Sequence, residues 1–113
     1  MQIISSAISI KKLQEMAEKM FGNIVKAVVD VEKEVIAIDA DLHADEEALL
    51  LENGSNQNNL WGINLYPAET DDNFIEYDSI INLRPSFGNK TRGVGDEKIR
   101  KKIKKIVEKL IVR

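Results

Sequence analysis

Between Val25 and Leu42, apolar side chains recur at every second position, and this run constrains the fold more than any other stretch. Val25, Ala27, Val29 and Val31 alternate with Lys26, Asp30 and Glu32. Past Glu32-Lys33-Glu34 the pattern resumes as Ile36, Ile38, Ala40 and Leu42, with Asp39, Asp41 and His43 opposite. A period of two places one set on one face of a strand. Two such runs around a charged turn read as a hairpin. Centred on Lys33-Glu34, it pairs Val31 with Ile36, Val29 with Ile38, Ala27 with Ala40 and Val25 with Leu42, so core residues meet core residues. The same register sets Lys26 across from Asp41. The turn has no Gly or Asn, so a loop wider than two residues is expected. In the first strand Val28 breaks the pattern.

A second hairpin is expected from the stretches Leu60–Pro67 and Phe74–Pro85. Pairing Leu65 with Ile75 and Ile63 with Tyr77 puts Trp61 near Ser79. The other face then brings Asn64 near Glu76, and Gly62 near Asp78 with open space above it. Helices flank the hairpins. Ser9 can cap a stripe of Ile10, Leu13, Met16, Ala17, Met20 and Phe21, which Gly22 or Asn23 ends. A short helix runs from Ala44 to Asn53, with Asp45 as its cap and Asn53-Gly54 as its stop. Asp96 can cap a last helix whose stripe is Ile99, Ile103, Ile106, Val107, Leu110 and Ile111. Residues 2–8 read as a short extended segment. The order is αββαββα over one α+β domain, 1–113, with an antiparallel or mixed four-stranded sheet built from two hairpins and helices packed on it.

Composition removes several classes of function. There is no Cys, hence no disulfide framework, thiol catalysis or Cys-ligated zinc. No apolar run approaches a signal peptide or a membrane span, so the expected location is cytoplasmic and no membrane partner is expected. Charge is uneven. Asp96 to Arg113 holds eight basic and three acidic residues, net +5, while the other 95 residues hold eight basic and sixteen acidic, net −8. Seven of those basic residues, Lys98 to Lys109, could contact phosphates. Without aromatic interleaving or a nucleic-acid signature, nucleic acid is not the expected partner.

Two groups of residues could carry chemistry. His43, the only histidine, shares a strand face with Asp39 and Asp41 and stands two residues before Asp45. His43 and Asp45 are therefore the candidate metal ligands or acid–base groups. Asn64, Asp78, Asn82 and Arg84 form a polar row on the second hairpin, leading into a Gly-rich loop with Asn89 and Arg92. Amide, carboxylate and guanidinium groups in one row can fix a small polar ligand. The loop is no phosphate-binding P-loop, because no Gly-Lys-Ser/Thr follows at the required spacing. One histidine without a nucleophile-elbow pattern supports no Ser-His-Asp site. No cofactor can be named, and no catalytic residue is assigned.

Three strings together, His43-Ala44-Asp45-Glu46-Glu47, Gly54-Ser55-x-Gln57-x-x-Leu60-Trp61-Gly62-x-Asn64 and Asp78-Ser79-Ile80-Ile81-Asn82-Leu83-Arg84-Pro85, resemble a family of small prokaryotic proteins classed as a domain of unknown function. The resemblance covers the chain from about the first helix onward. It implies one small cytoplasmic domain and carries over no activity, cofactor or catalytic residue. The expected function is a non-enzymatic binding or interaction domain that self-associates as a homodimer. The motive for self-association is Val28, Val35, Ala37, Leu60 and Ile80, more apolar surface on the second sheet face than a monomer leaves wet. The alternative is a small metal-dependent or acid–base hydrolase using His43 and nearby carboxylates. A third is nucleic-acid binding through the last helix.

Overall fold

The computed structural model describes all of residues 1–113. Its centre is the hairpin of β3 (Val25–Asp30) and β4 (Val35–Ile38), flanked by β1 (Gln2–Ile4) on one side and β5 (Leu60–Leu65) on the other. A two-residue strand, β6 (Ile75–Glu76), closes the far edge, giving the order β1-β4-β3-β5-β6 with every pair antiparallel. The α+β class is as expected, but the sheet has five strands rather than four. The extra strand is the 2–4 segment, whose Ile3 and Ile4 are too few to show a period.

The first hairpin pairs Val29 with Ile36 and Ala27 with Ile38, two residues out of the expected register. A shift of two leaves each side chain on its face, so the apolar pattern cannot distinguish the two registers. The turn decides. Asp30 Oδ1 accepts from the amides of Glu32 and Lys33 at 2.9 Å each, and the Glu34 amide donates to the Asp30 carbonyl. Those bonds fix a loop over 31–34, with Glu34 at φ 57°. Lys26 accordingly does not lie opposite Asp41.

Three helices cover the two faces of the sheet. Helix α1 (Ile10–Lys19) starts at Ser9, whose hydroxyl accepts from the Lys12 amide, and the chain leaves it through Gly22 at φ 92°. Helix α3 (Glu97–Leu110) starts at Asp96, which accepts from the Lys98 amide. Leu13 and Ala17 of α1 and Ile103, Ile106, Val107 and Leu110 of α3 join Val25, Ala27, Val29, Ile36, Ile38, Ile63 and Leu65 in the main core. Helix α2 (His43–Glu52) covers the other face, where Leu50 meets Val28, Ala37 and Leu60. Val28 thus faces α2. The apolar surface that suggested self-association is largely consumed within the chain, for Val28, Ala37 and Leu60 are wholly buried while only Ile80 is mostly exposed. Leu42, not Asp45, occupies the N-cap of α2; it makes no side-chain cap bond, and Asp45 lies exposed in the first turn.

A parallel clasp of β2 (Ile8–Ser9) and β7 (Ile111–Val112) ties the start of α1 to the end of α3. The observed order is therefore ββαββαββαβ, and the expected αββαββα is its skeleton without the short terminal strands.

Candidate functional site

The segment after β6 does not continue as the strand expected over residues 74–85. Leu65–Ile75 and Asn64–Glu76 pair as expected, and then the backbone turns away. Gly62 sets the reason. A Cβ at Gly62 would lie 2.5 Å from Ser79 Cβ and 2.6 Å from its Oγ, so Ser79 packs directly on the glycine and fills the expected open space. The outer edge of β5 is completed by side chains instead. Asn82 Oδ1 accepts from the Gly62 amide at 2.8 Å, and its Nδ2 donates to the Gly62 carbonyl at 2.9 Å. One amide side chain thus supplies the donor and the acceptor of a missing strand residue. One step along, Arg84 donates through Nη2 to the Leu60 carbonyl at 2.7 Å and through Nη1 to the Gln57 carbonyl. Asn89 holds the following loop. Its Nδ2 donates to the carbonyls of Asn82, Thr91 and Gly93, and its Oδ1 accepts from the Gly95 amide.

The polar row therefore divides. Asn82 and Asn89 are buried and fully committed to backbone. Asn64 Nδ2 donates to Glu76 Oε1 at 2.9 Å and to the Asp78 carbonyl at 3.1 Å, inside the same edge. Asp78 and Arg92 face outward as an ion pair at 2.9 Å. His43 is the first residue of α2 and turns toward the sheet, with Nε2 at 2.7 Å from the Ile63 carbonyl, which makes that nitrogen the proton-bearing one. Asp45 lies two positions along the helix and projects elsewhere. No group of three or more His, Asp or Glu is placed to hold a metal ion.

Arg84 does line a cleft. A hollow of about 460 Å³ opens between the start of β5, the 84–89 turn and the N-terminus of α3, walled by Trp61, Arg84, Phe87, Asn89, Asp96 and Ile99. The Arg84 guanidinium stacks on the Trp61 ring, 4.4 Å from its centroid. Trp61 is 6% and Arg84 9% exposed, yet Trp61 Nε1 and Arg84 Nε have no hydrogen-bond partner within the chain. Both are donors. No carboxylate lies within ion-pair distance of Arg84. Burial pulls its pKa below the ordinary value, and the field of Glu47 partly opposes this. Of the expected ligand residues, then, Arg84 and Asn89 reach a cleft together, Asn89 as part of its frame. Trp61 and Phe87 were not among them. A sole Trp on an alternating strand reads as core, and Phe87 is recognisable only as an aromatic set in a Pro-Ser-x-Gly turn.

Residues 2–110 match a family model described as "Protein of unknown function (DUF5674)". The chain belongs to this family. No curated protein and no solved structure matches it. The DUF5674 fold also presents a larger hollow, about 550 Å³, between the 31–34 turn and α3, lined by Glu32, Glu34, Lys102 and Lys105 among others. Its charges are of both signs and its walls hold no buried donor or acceptor left unpaired. The basic helix beside it spends part of its charge internally: Lys109 meets Glu34 at 3.3 Å, and Lys101–Glu97 and Lys104–Glu108 are pairs one turn apart.

Two buried titratable groups of this DUF5674 protein lie under α2. Burial lowers the His43 pKa from its ordinary value; the Ile63 carbonyl opposes this, Lys26 and Arg92 add to it, and Asp78 opposes it. Glu46 is wholly buried, and desolvation pushes its pKa up to about 9 against the Ala40 amide, which donates to Oε2 at 3.3 Å. Glu46 is thus neutral at pH 7. No cleft of substantial size opens onto either group.

Proposed function

We propose that this protein is a non-enzymatic ligand-binding domain whose site is the cleft walled by Trp61, Arg84 and Phe87. One observation carries this: the Arg84 guanidinium, stacked on Trp61 and with no carboxylate within ion-pair distance, walls a cleft beside the exposed ring of Phe87. A ligand that brings acceptor atoms to this cation gains charge-assisted hydrogen bonds, about twice as strong as neutral ones. The rest of the polar row holds the frame rigid, because Asn82 and Asn89 leave no freedom in the loop that carries Phe87.

The hydrolase alternative rests on His43, which donates its Nε2 proton to a main-chain carbonyl and faces no cleft. Self-association keeps a smaller motive in Ile80, Leu83 and Phe87, which are exposed near the completed edge. Because Trp61 is the only Trp, its fluorescence and its single indole N–H resonance report on the cleft alone. Titrating the protein with a chemically varied set of small acids, amines, amides and sugars is expected to give a saturable change at Trp61 with at least one class. A flat response across the whole set would remove the binding function.

A further inference from the structure

We infer that the cleft selects a monoanionic carboxylate carrying a flat apolar body, with the carboxylate on the Arg84–Trp61 stack and the body against Phe87 and Ile99. This rests on the binding function proposed above and adds the chemistry of its ligand.

Three features of the walls lead to it. First, the cation in the lining is Arg84, whose guanidinium carries donors and no acceptor, so the ligand must bring acceptors. Its planar fork, with the guanidinium carbon 4.4 Å from the Trp61 ring centroid, suits a small group with two acceptor atoms. Second, the ligand must be negative rather than neutral. Arg84 stays a cation in proteins, and here its fork donates to the neutral carbonyls of Gln57 and Leu60, while Glu47 reaches it by its field from beyond ion-pair distance. A cation with no anion within ion-pair distance attracts one in a site of reduced dielectric. Third, the charge must be small and the rest of the ligand apolar. The Asp96 carboxylate, which caps α3, stands on the opposite wall and disfavours a dianion. Phe87 is 60% exposed on a turn held by Gly88 at φ 83°, and faces the same hollow as Ile99. An aromatic ring left open to water beside a second apolar side chain gains by covering a flat apolar body. A phosphate monoester fails the third requirement and an amide fails the second.

The test uses the full chain and three probes, benzoate, benzamide and inorganic phosphate, each followed through the Trp61 indole resonance. Benzoate is expected to shift it saturably, with benzamide about tenfold weaker or worse, because charge-assisted hydrogen bonds are about twice as strong as neutral ones. Phosphate is expected to be weaker than benzoate. Phe87→Ala should weaken benzoate several-fold while the remaining spectrum keeps its folded dispersion, since Phe87 is an exposed turn residue. Arg84→Lys should also weaken benzoate, and the Phe87 variant keeps the test valid if this one fails to fold. Benzamide binding as tightly as benzoate, phosphate binding more tightly, or benzoate binding unchanged in Phe87→Ala would each overturn the inference. If benzoate fails while a neutral or cationic compound of the broader set binds, the carboxylate inference falls and the binding function stands. If nothing binds, both fall.

Discussion

At the scale of single residues, the Gly62–Asn82 contact shows a side chain doing a strand's work. Asn carries an NH2 donor group and a C=O acceptor on a short arm, spaced like the N–H and C=O of a peptide. It can therefore close the edge of β5 where the backbone cannot follow, and the backbone cannot follow because Ser79 occupies the space over Gly62. Gly62→Ala is expected to destabilise the protein by about 1–3 kcal/mol in urea unfolding, the range for forcing a methyl group into a filled site. Ser79→Gly in the same chain should recover part of that loss, and no recovery would show that the methyl group meets some other obstacle. The same contact explains why the polar row was legible and its role was not. Asn and Asp are poor strand formers, so Asn64, Asp78 and Asn82 stood out from their neighbours. Whether such a residue faces a ligand or a neighbouring backbone depends on what the chain brings against it from far along the sequence.

At the scale of elements, the first hairpin is held at its turn by Asp30. Its carboxylate accepts two turn amides and, through Oδ2, the Ser55 hydroxyl at 2.7 Å, so it ties the hairpin to the segment that follows α2. Asp30→Ala leaves three donors without their acceptor. It should lower the urea midpoint by the equivalent of about 2–4 kcal/mol with an unchanged slope. A loss below about 0.5 kcal/mol would mean that the register is set by packing and not by the turn. Helix α2 makes the complementary point. Its low amphipathic contrast follows from its setting: His43, Glu46 and Leu50 all face the sheet, so polar and apolar residues share its inner side.

At the scale of the whole molecule, the two groups under α2 make stability depend on pH in opposite directions. Glu46 has a folded pKa of about 9 against an ordinary 4.5. The folded state therefore binds a proton that the unfolded chain releases, and stability falls as pH rises from the unfolded value through the folded one. Glu46→Gln, which keeps the shape and removes the titration, should be the more stable protein at pH 8 to 9, by on the order of 2 kcal/mol, with the gain shrinking toward pH 4. Melting temperatures of the two proteins across that range provide the check; parallel curves would mean that Glu46 is ionised in the fold. His43 has a folded pKa below the ordinary 6.5, so its contribution is present above that value and is lost as pH falls through the window beneath it. Its single imidazole resonance should titrate with a midpoint below 6.5.

The α+β class, the cap residues Ser9 and Asp96, the stripe of α3 and the pairing of Leu65 with Ile75 were all determined by the sequence. Each depends on neighbours a few residues apart, or on a two-residue period that survives any even shift of register. Only the tertiary structure decided the rest. The two-residue shift of the first hairpin follows from side-chain bonds to Asp30, and strands of two or three residues carry no period to detect. The burial of Val28, Ala37 and Leu60 depends on α2 docking on that face. The fate of the polar row was decided by contacts across twenty or more positions, Gly62 with Asn82 and Leu60 with Arg84. Those contacts turn Asn82 into backbone scaffolding and place the Arg84 guanidinium against Trp61 in the wall of the cleft.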